Sequence, residues 1–324
     1  MKNYYYIFLF YSFCFASWQV SGQAISFNQY NGCLAALNPA YIANIDRDQA
    51  SYISRYQWPS YQDGSEMQQF GINKFIYSIN SGFGLIGEKI SYRNKAYESK
   101  NLGLQYGYRI IFLDDFVFGF GASFSLENTT TDINNFRYRY EPKVSFTEKE
   151  VVTHSGNYGK MTAGIIFQEK SNKYCFGLSL KNKEIYSRND ESMGRLYRSP
   201  TLIIHASKRF DFDYDYLFLS VNYERAGKYY FKNGADSLLQ NSYNYFLFQT
   251  NLIIFKKINL GLGYKIFEGN YGSPHFRIGY SPHVNRVITF GYSYDVLPYI
   301  QNDKIHGNSS HEFYLKILLP FKSS

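Results

Sequence analysis

Strict alternation of apolar with small or polar residues is what most limits this chain. Leu102, Leu104, Tyr106 and Tyr108 share one parity, and Gly103, Gln105, Gly107 and Arg109 the other. The same period of two returns in Phe116, Phe118, Phe120, Ala122 and Phe124 against Val117, Gly119, Gly121, Ser123 and Ser125. It returns again in Tyr174, Phe176, Leu178 and Leu180 against Cys175, Gly177 and Ser179, and in Ile258, Leu260, Leu262, Tyr264 and Ile266 against Asn259, Gly261, Gly263 and Lys265. Successive side chains of a strand point to opposite faces, so each stretch is a strand with one apolar face. In a soluble sandwich that face is the core; in a membrane barrel it faces lipid, and the small or polar face lines the lumen. Periodicity leaves both open, and link lengths favour the barrel. Short links (Leu113-Asp114, Asp211-Phe212-Asp213, Lys256-Lys257, Pro282-His283-Val284) take turns with long polar ones at 128–157, 183–199, 226–241 and 295–309. The pattern predicts an all-β fold, a transmembrane antiparallel barrel of about 14 strands between residues 49 and 319.

Composition agrees. Aromatics make up 20% of the 324 residues and only 8 are Pro, which excludes disorder and collagen, and no heptad run supports a coiled coil. The mean hydropathy of -0.36 is that of a soluble protein, but alternation dilutes a barrel's own signal. After Gln23 no apolar run approaches the ~18 residues of a spanning helix. Before it, Lys2, the apolar stretch from Ile7 to Trp18, and Val20-Ser21-Gly22 read as a signal peptide over residues 1–22, cut after Gly22. Phe13 precedes Cys14 where a lipoprotein signal needs a small residue, so no lipid anchor is expected. Residues 23–48 are expected to form a periplasmic or plug segment and 49–324 the barrel. A net charge of +8 on an exported chain points to lipid head groups, acidic envelope polymers or protein partners rather than nucleic acid. The compartment permits a disulfide between Cys33 and Cys175, and spacing alone does not bring them together.

Chemistry is not visible in the sequence. The six His, at 154, 205, 275, 283, 306 and 311, form no His-x-x-x-His zinc pair, and no Gly-x-Ser-x-Gly elbow occurs. Asp211-x-Asp213-x-Asp215 lacks the glycine and terminal Glu of a calcium loop. Gly119-x-Gly121 and Gly261-x-Gly263 precede no helix and are strand glycines, not dinucleotide loops. No catalytic residue, metal ligand or cofactor is expected, and the chain reads as a non-enzyme. His205 is expected in the lumen as a hydrogen-bonded contact to a plug. Asn38-Pro39 initiates a turn, and Trp58 fits an interfacial anchor.

Motifs at both ends carry a family resemblance. Phe27-Asn28-Gln29-Tyr30, Leu37-Asn38-Pro39-Ala40-Tyr41 and Arg55-Tyr56-Gln57-Trp58, with Gly261-Leu262-Gly263-Tyr264-Lys265, Gly291-Tyr292-Ser293-Tyr294-Asp295 and Ser310-His311-Glu312-Phe313-Tyr314-Leu315, together resemble the PorP/SprF family of type IX secretion system outer-membrane proteins. The departures are Ile42-Ala43-Asn44, where the family has a small residue and Gly, and a polar tail after Pro320. The resemblance implies an outer-membrane protein of Bacteroidota-type bacteria with periplasmic termini. Its implied partners are other type IX secretion subunits, cargo bearing a C-terminal sorting domain, in some members gliding adhesins, and outer-membrane lipid. Asn38, Pro39, Ala40, Tyr41, Arg55, Gln57, Trp58, His311 and Glu312 are the motif positions that become candidate docking residues. Two other readings stay open: a FadL-like transporter of small hydrophobic molecules, similar in size, and an outer-membrane hydrolase. Lumen-side residues read as mostly small, so something must fill the interior or leave a channel. Leu34, Ala35, Ala36 and Leu37 give residues 23–48 an apolar surface suited to a hatch inside or beneath the barrel.

Overall fold

The computed structural model describes residues 34–44, 48–57, 64–92, 97–112, 115–132, 153–189, 195–198, 200–213, 215–233, 236–237, 241–267, 271–282, 288–301 and 304–318. Its strands are β1 (Gln49–Gln57), β2 (Ser65–Ile76), β3 (Ser81–Tyr92), β4 (Tyr97–Phe112), β5 (Phe116–Asp132), β6 (Thr153–Glu169), β7 (Tyr174–Asn189), β8 (Arg195–Arg198), β9 (Thr201–Phe212), β10 (Asp215–Asn233), β11 (Asp236–Ser237), β12 (Asn241–Ile254), β13 (Ile258–Phe267), β14 (Tyr271–Tyr280), β15 (Ile288–Gln301) and β16 (Lys304–Leu318). Neighbours pair antiparallel, and β16 pairs β1 to close the ring. β8 and β11 are short additions to β10, which leaves a closed wall of 14 strands.

The alternation becomes two faces. Leu102, Leu104, Phe120, Phe124, Phe176 and Leu262 are exposed on the outside, as a lipid-facing belt requires, while Gly103, Gln105, Ser125, Ser179 and Lys265 are buried inside. Tyr264 belongs to the outer face yet is buried, because its ring lies against Gly272 on the adjoining strand. One end of the barrel is built from tight connections. Asn80 and Asn172 turn the chain with left-handed φ of 50° and 59°, and Phe255 and Lys256 do so consecutively at 49° and 55°. Asp215 Oδ1 accepts the Phe255 N–H at 2.7 Å, which holds that turn although neither residue is Gly.

At the opposite end the strands outrun a bilayer. β5 and β6 have 17 residues each and β10 has 19, against the ~9–11 that span one. The long links expected from sequence are therefore partly strand. The 295–309 link is a ladder running from Asp295↔Ser310 to Gln301↔Lys304. Above the membrane both faces of a hairpin meet water, so the alternation fades there although the pairing continues.

The core lies inside the wall. A four-residue helix α1 (Leu34–Leu37) and a 3-10 turn (Pro39–Asn44) sit in the lumen among residues close in sequence to the tight turns, such as Gly82, Gly119 and Gly177. Ala35, Ala40, Tyr41 and Ile42 of this plug pack with Ile166, Leu34 and Cys175. A second apolar cluster gathers Leu37 with Ile53, Met67, Ile90, Ile203, Tyr245, Leu247 and Tyr314, side chains from six wall strands. Leu37, with Ala36 packed beside it, thus joins the plug to the far wall.

Candidate functional site in the plugged lumen

The plug is held by side chains that read its backbone. Asn38 Nδ2 donates to the carbonyls of Ile165 at 3.0 Å and Leu178 at 3.2 Å, bridging β6 and β7, while its Oδ1 accepts the Ala40 N–H at 3.0 Å. Gln105 Nε2 donates to the Ala35 carbonyl at 2.9 Å and Ser179 Oγ to that of Leu37 at 2.8 Å. Glycines on β3–β7 make this approach physical. A Cβ on Gly121 would strike the backbone of Pro39 and Ala40, one on Gly82 would strike Ile42, and one on Gly164 would strike the Asn38 side chain. On Gly107 it would lie 2.9 Å from the Ala43 nitrogen. Gly119 and Gly121, noted in the sequence, are therefore part of a cradle for the turn that Asn38-Pro39 begins, while Gly261 and Gly263 lie against Asn251, Arg277 and His275 instead.

Tyr41 closes one side of the plug. Its hydroxyl and the Cys175 Sγ are 3.2 Å apart, and its ring meets His205 edge-on at 6.0 Å between centroids. Burial pushes the Tyr41 phenol well above its ordinary pKa, with Cys175 adding to the shift, so the group stays neutral. His205 lies in the lumen and touches the plug through the Tyr41 ring, but its hydrogen bond, with Nδ1 2.6 Å from Asn222 Oδ1, goes to wall strand β10 rather than to the plug as expected. Cys175 is a free thiol, and Cys33 lies outside the described residues.

The other half of the lumen carries charge. Arg55 spans two carboxylates, with Nη2 2.6 Å from Asp295 Oδ2 and Nη1 3.2 Å from Glu312 Oε2, all three at most 2% exposed. Ser310 Oγ donates to the same Asp295 oxygen at 3.0 Å. Lys265 acts electrostatically on this group and on Glu224. Across the lumen Lys160 pairs with Glu127, which also accepts from Ser99, and Lys181 faces Glu88 at 3.7 Å. The expectation of a mostly small lumen face is thus met by the glycines of β3–β7 beside the plug and fails elsewhere, at Glu88, Glu127, Lys160 and Lys181 of those same strands and on β1 and β12–β16. There Arg55, Lys265, His275 and Arg277 fill space that glycines leave open elsewhere.

The motif positions separate into three places. Asn38, Pro39, Ala40 and Tyr41 are buried in the plug, so none offers surface to a partner while the plug is seated. Arg55, Gln57 and Glu312 face the lumen, and Arg55 and Glu312 are direct register partners. His311 points out of the wall, where Tyr292 Oη lies 2.7 Å from its Nδ1 and Ser309 Oγ 3.2 Å from its Nε2. Trp58 lies outside the described residues. Sequence reading missed Gln105 and Ser179 as plug holders and Asp295 as the second partner of Arg55. Their inward parity was visible, but the pairing partners were not. Among the described residues no cluster of three or more His, Cys, Asp or Glu is arranged to hold a metal ion.

The family model described as type IX secretion system membrane protein PorP/SprF matches residues 19–317, nearly the whole chain. The chain belongs to the PorP/SprF family. This PorP/SprF barrel is similar in fold to the toluene transporter TbuX of Ralstonia pickettii, with a TM-score of 0.55, 9% identity and coverage of 92% of this chain and 96% of that one. It is also similar to the CymD monoaromatic hydrocarbon channel, with a TM-score of 0.59, 9% identity and coverage of 93% and 96%. A Pseudomonas aeruginosa FadL homologue gives a TM-score of 0.51 at 12% identity, covering 87% and 92%. At such identities the likeness is one of architecture. No curated protein matches the chain. The membrane family and these outer-membrane-type neighbours point to the outer membrane.

Proposed function

We propose that this PorP/SprF protein is a non-enzymatic docking body of the type IX secretion machine in the outer membrane. On this reading the signal peptide is cleaved after Gly22 and the tight-turn end faces the periplasm. There its turns meet other secretion subunits, and the long hairpins outside meet cargo with C-terminal sorting domains, gliding adhesins among them. The family match supports the system. The observation that supports a docking body over a transporter is the packing of the lumen among the described residues: Ile53, Leu247 and Glu312 point inward from the wall at 0% exposure, and Ile42 of the plug is equally buried against Gly82. Side chains lining a water-filled channel keep exposed surface, and these have none. A lumen cavity beside the plug, lined by Ala35, Ala36, Gln69, Asn73 and Gln105 among others, measures about 10 Å³, room for one water at most.

Affinity purification of the tagged chain from native envelope, with mass spectrometry of what accompanies it, tests this directly. Co-purification of type IX secretion subunits in stoichiometric amount is expected. Recovery of the barrel alone under conditions that keep other envelope complexes intact would count against it.

A further inference from the structure

The plug is seated in a way that resembles a bound peptide more than a structural strut. Residues 34–44 read Leu-Ala-Ala-Leu-Asn-Pro-Ala-Tyr-Ile-Ala-Asn and carry no charge. The buried charges of the lumen pair with one another inside the wall: Arg55 with Asp295 and Glu312, Lys160 with Glu127. Removing the segment therefore breaks no ion pair. What holds it is short-range and sequence-selective. Asn38 bridges carbonyls of two strands, Gln105 and Ser179 donate to backbone carbonyls of the segment, and a wall of glycines lies directly against the Pro39–Ala40 backbone and the Asn38 and Ile42 side chains, with no room for a Cβ. Side-chain amides and hydroxyls reading an occupant's backbone, beside a close-fitting wall, are how a protein groove recognises a peptide.

We propose that the inner wall of β3–β7 is a peptide-binding site whose resident occupant is the chain's own residues 34–44, and that this occupant is exchangeable with the same peptide supplied in trans. The ligand class is an uncharged segment with Asn-Pro at its centre and small and apolar residues around it. Asn38 is the selecting residue, because no other residue type offers two amide donors and an acceptor at that length. Gly121 is the residue that admits the turn.

The test uses the full chain with a protease site placed between Asn44 and Asp48, purified in detergent and cut after folding. Folding is verified before and after cutting by the heat-dependent mobility of the barrel on a gel. A fluorescent synthetic peptide of residues 34–44 is then titrated in. Saturable binding to the cut barrel is expected, with displacement of the resident fragment and no binding to the uncut chain. Binding should weaken about tenfold or more for an Asn38→Ala peptide, the scale of losing buried hydrogen bonds. A cut Gly121→Leu barrel that retains heat-dependent mobility should bind none. Absence of saturable binding, a resident fragment that excess peptide does not displace, equal affinity for the Asn38→Ala peptide, or equal binding to the uncut chain would each overturn the proposal. None of these outcomes depends on the secretion reading.

Discussion

Asn38 and Arg55 show two ways one side chain can organise a lumen. Asn38 makes three hydrogen bonds in a buried site, and Asn38→Ala leaves the Ile165 and Leu178 carbonyls and the Ala40 N–H without this partner. The expected cost is about 1–3 kcal/mol, confined to the plug. Hydrogen exchange should rise across residues 34–44 while the wall strands stay protected. Arg55 acts differently, since removing a guanidinium from between Asp295 and Glu312 leaves two buried carboxylates without their shared cation. Arg55→Ala should destabilise the barrel by about 3–5 kcal/mol in denaturant unfolding from detergent. Arg55→Lys should recover only part of that, because one ammonium does not reproduce a fork that reaches two separate acids. Both residues stood out in the sequence through the motifs they belong to. Their partners did not, since Arg55 is 240 and 257 residues away from Asp295 and Glu312, and only ring closure brings β1 beside β16.

Single strands have opposite tolerances on their two faces, and β5 states it most clearly. Phe120 and Phe124 are exposed outward, while Gly121 stands against the plug backbone. Phe120→Arg should cost about 2–4 kcal/mol near the bilayer midplane, read from unfolding in lipid. Gly121→Leu should leave the outer face intact and expel the plug, read as new protease sensitivity in residues 34–44. A spin label at Phe120 should be quenched more by lipid-soluble oxygen than one at Ser123, and the reverse order would invert the wall. Faces were legible in sequence because a period of two survives wherever lipid lies on one side. Strand ends were not. β15 and β16 run through the 295–309 stretch that reads as a loop, since hairpins above the membrane have water on both faces and no reason to alternate. Likewise, a plug was expected from the small lumen-side residues of the strands, Gly261 and Gly263 included, and from the apolar Leu34–Leu37. The buried charges were hidden, because a lone Lys265 or Asp295 on an inward parity looks like any solvated polar position until the strands are set in a ring.

For the molecule as a whole, the described part of the lumen is packed, with Ile53, Leu247 and Glu312 of the inner wall at 0% exposure around the plug. TbuX and CymD are named for passing toluene and monoaromatic hydrocarbons, and likeness in fold alone does not carry that activity over. Here Leu37 joins the plug to Ile53, Tyr245 and Leu247 of the far wall, and Arg55 with Asp295 and Glu312 forms a buried ion-paired group on the inner wall of β1, β15 and β16. A strain lacking the protein should fail to display a subset of sorting-domain cargo at its surface, measured by antibody labelling of intact cells, with uptake of hydrophobic small molecules unchanged. The most direct test of a closed docking body is single-channel recording of the purified full-length chain in a planar bilayer. The filled lumen predicts a baseline without steady conductance steps. Steady, large conductance from the intact protein would contradict it and favour a transporter.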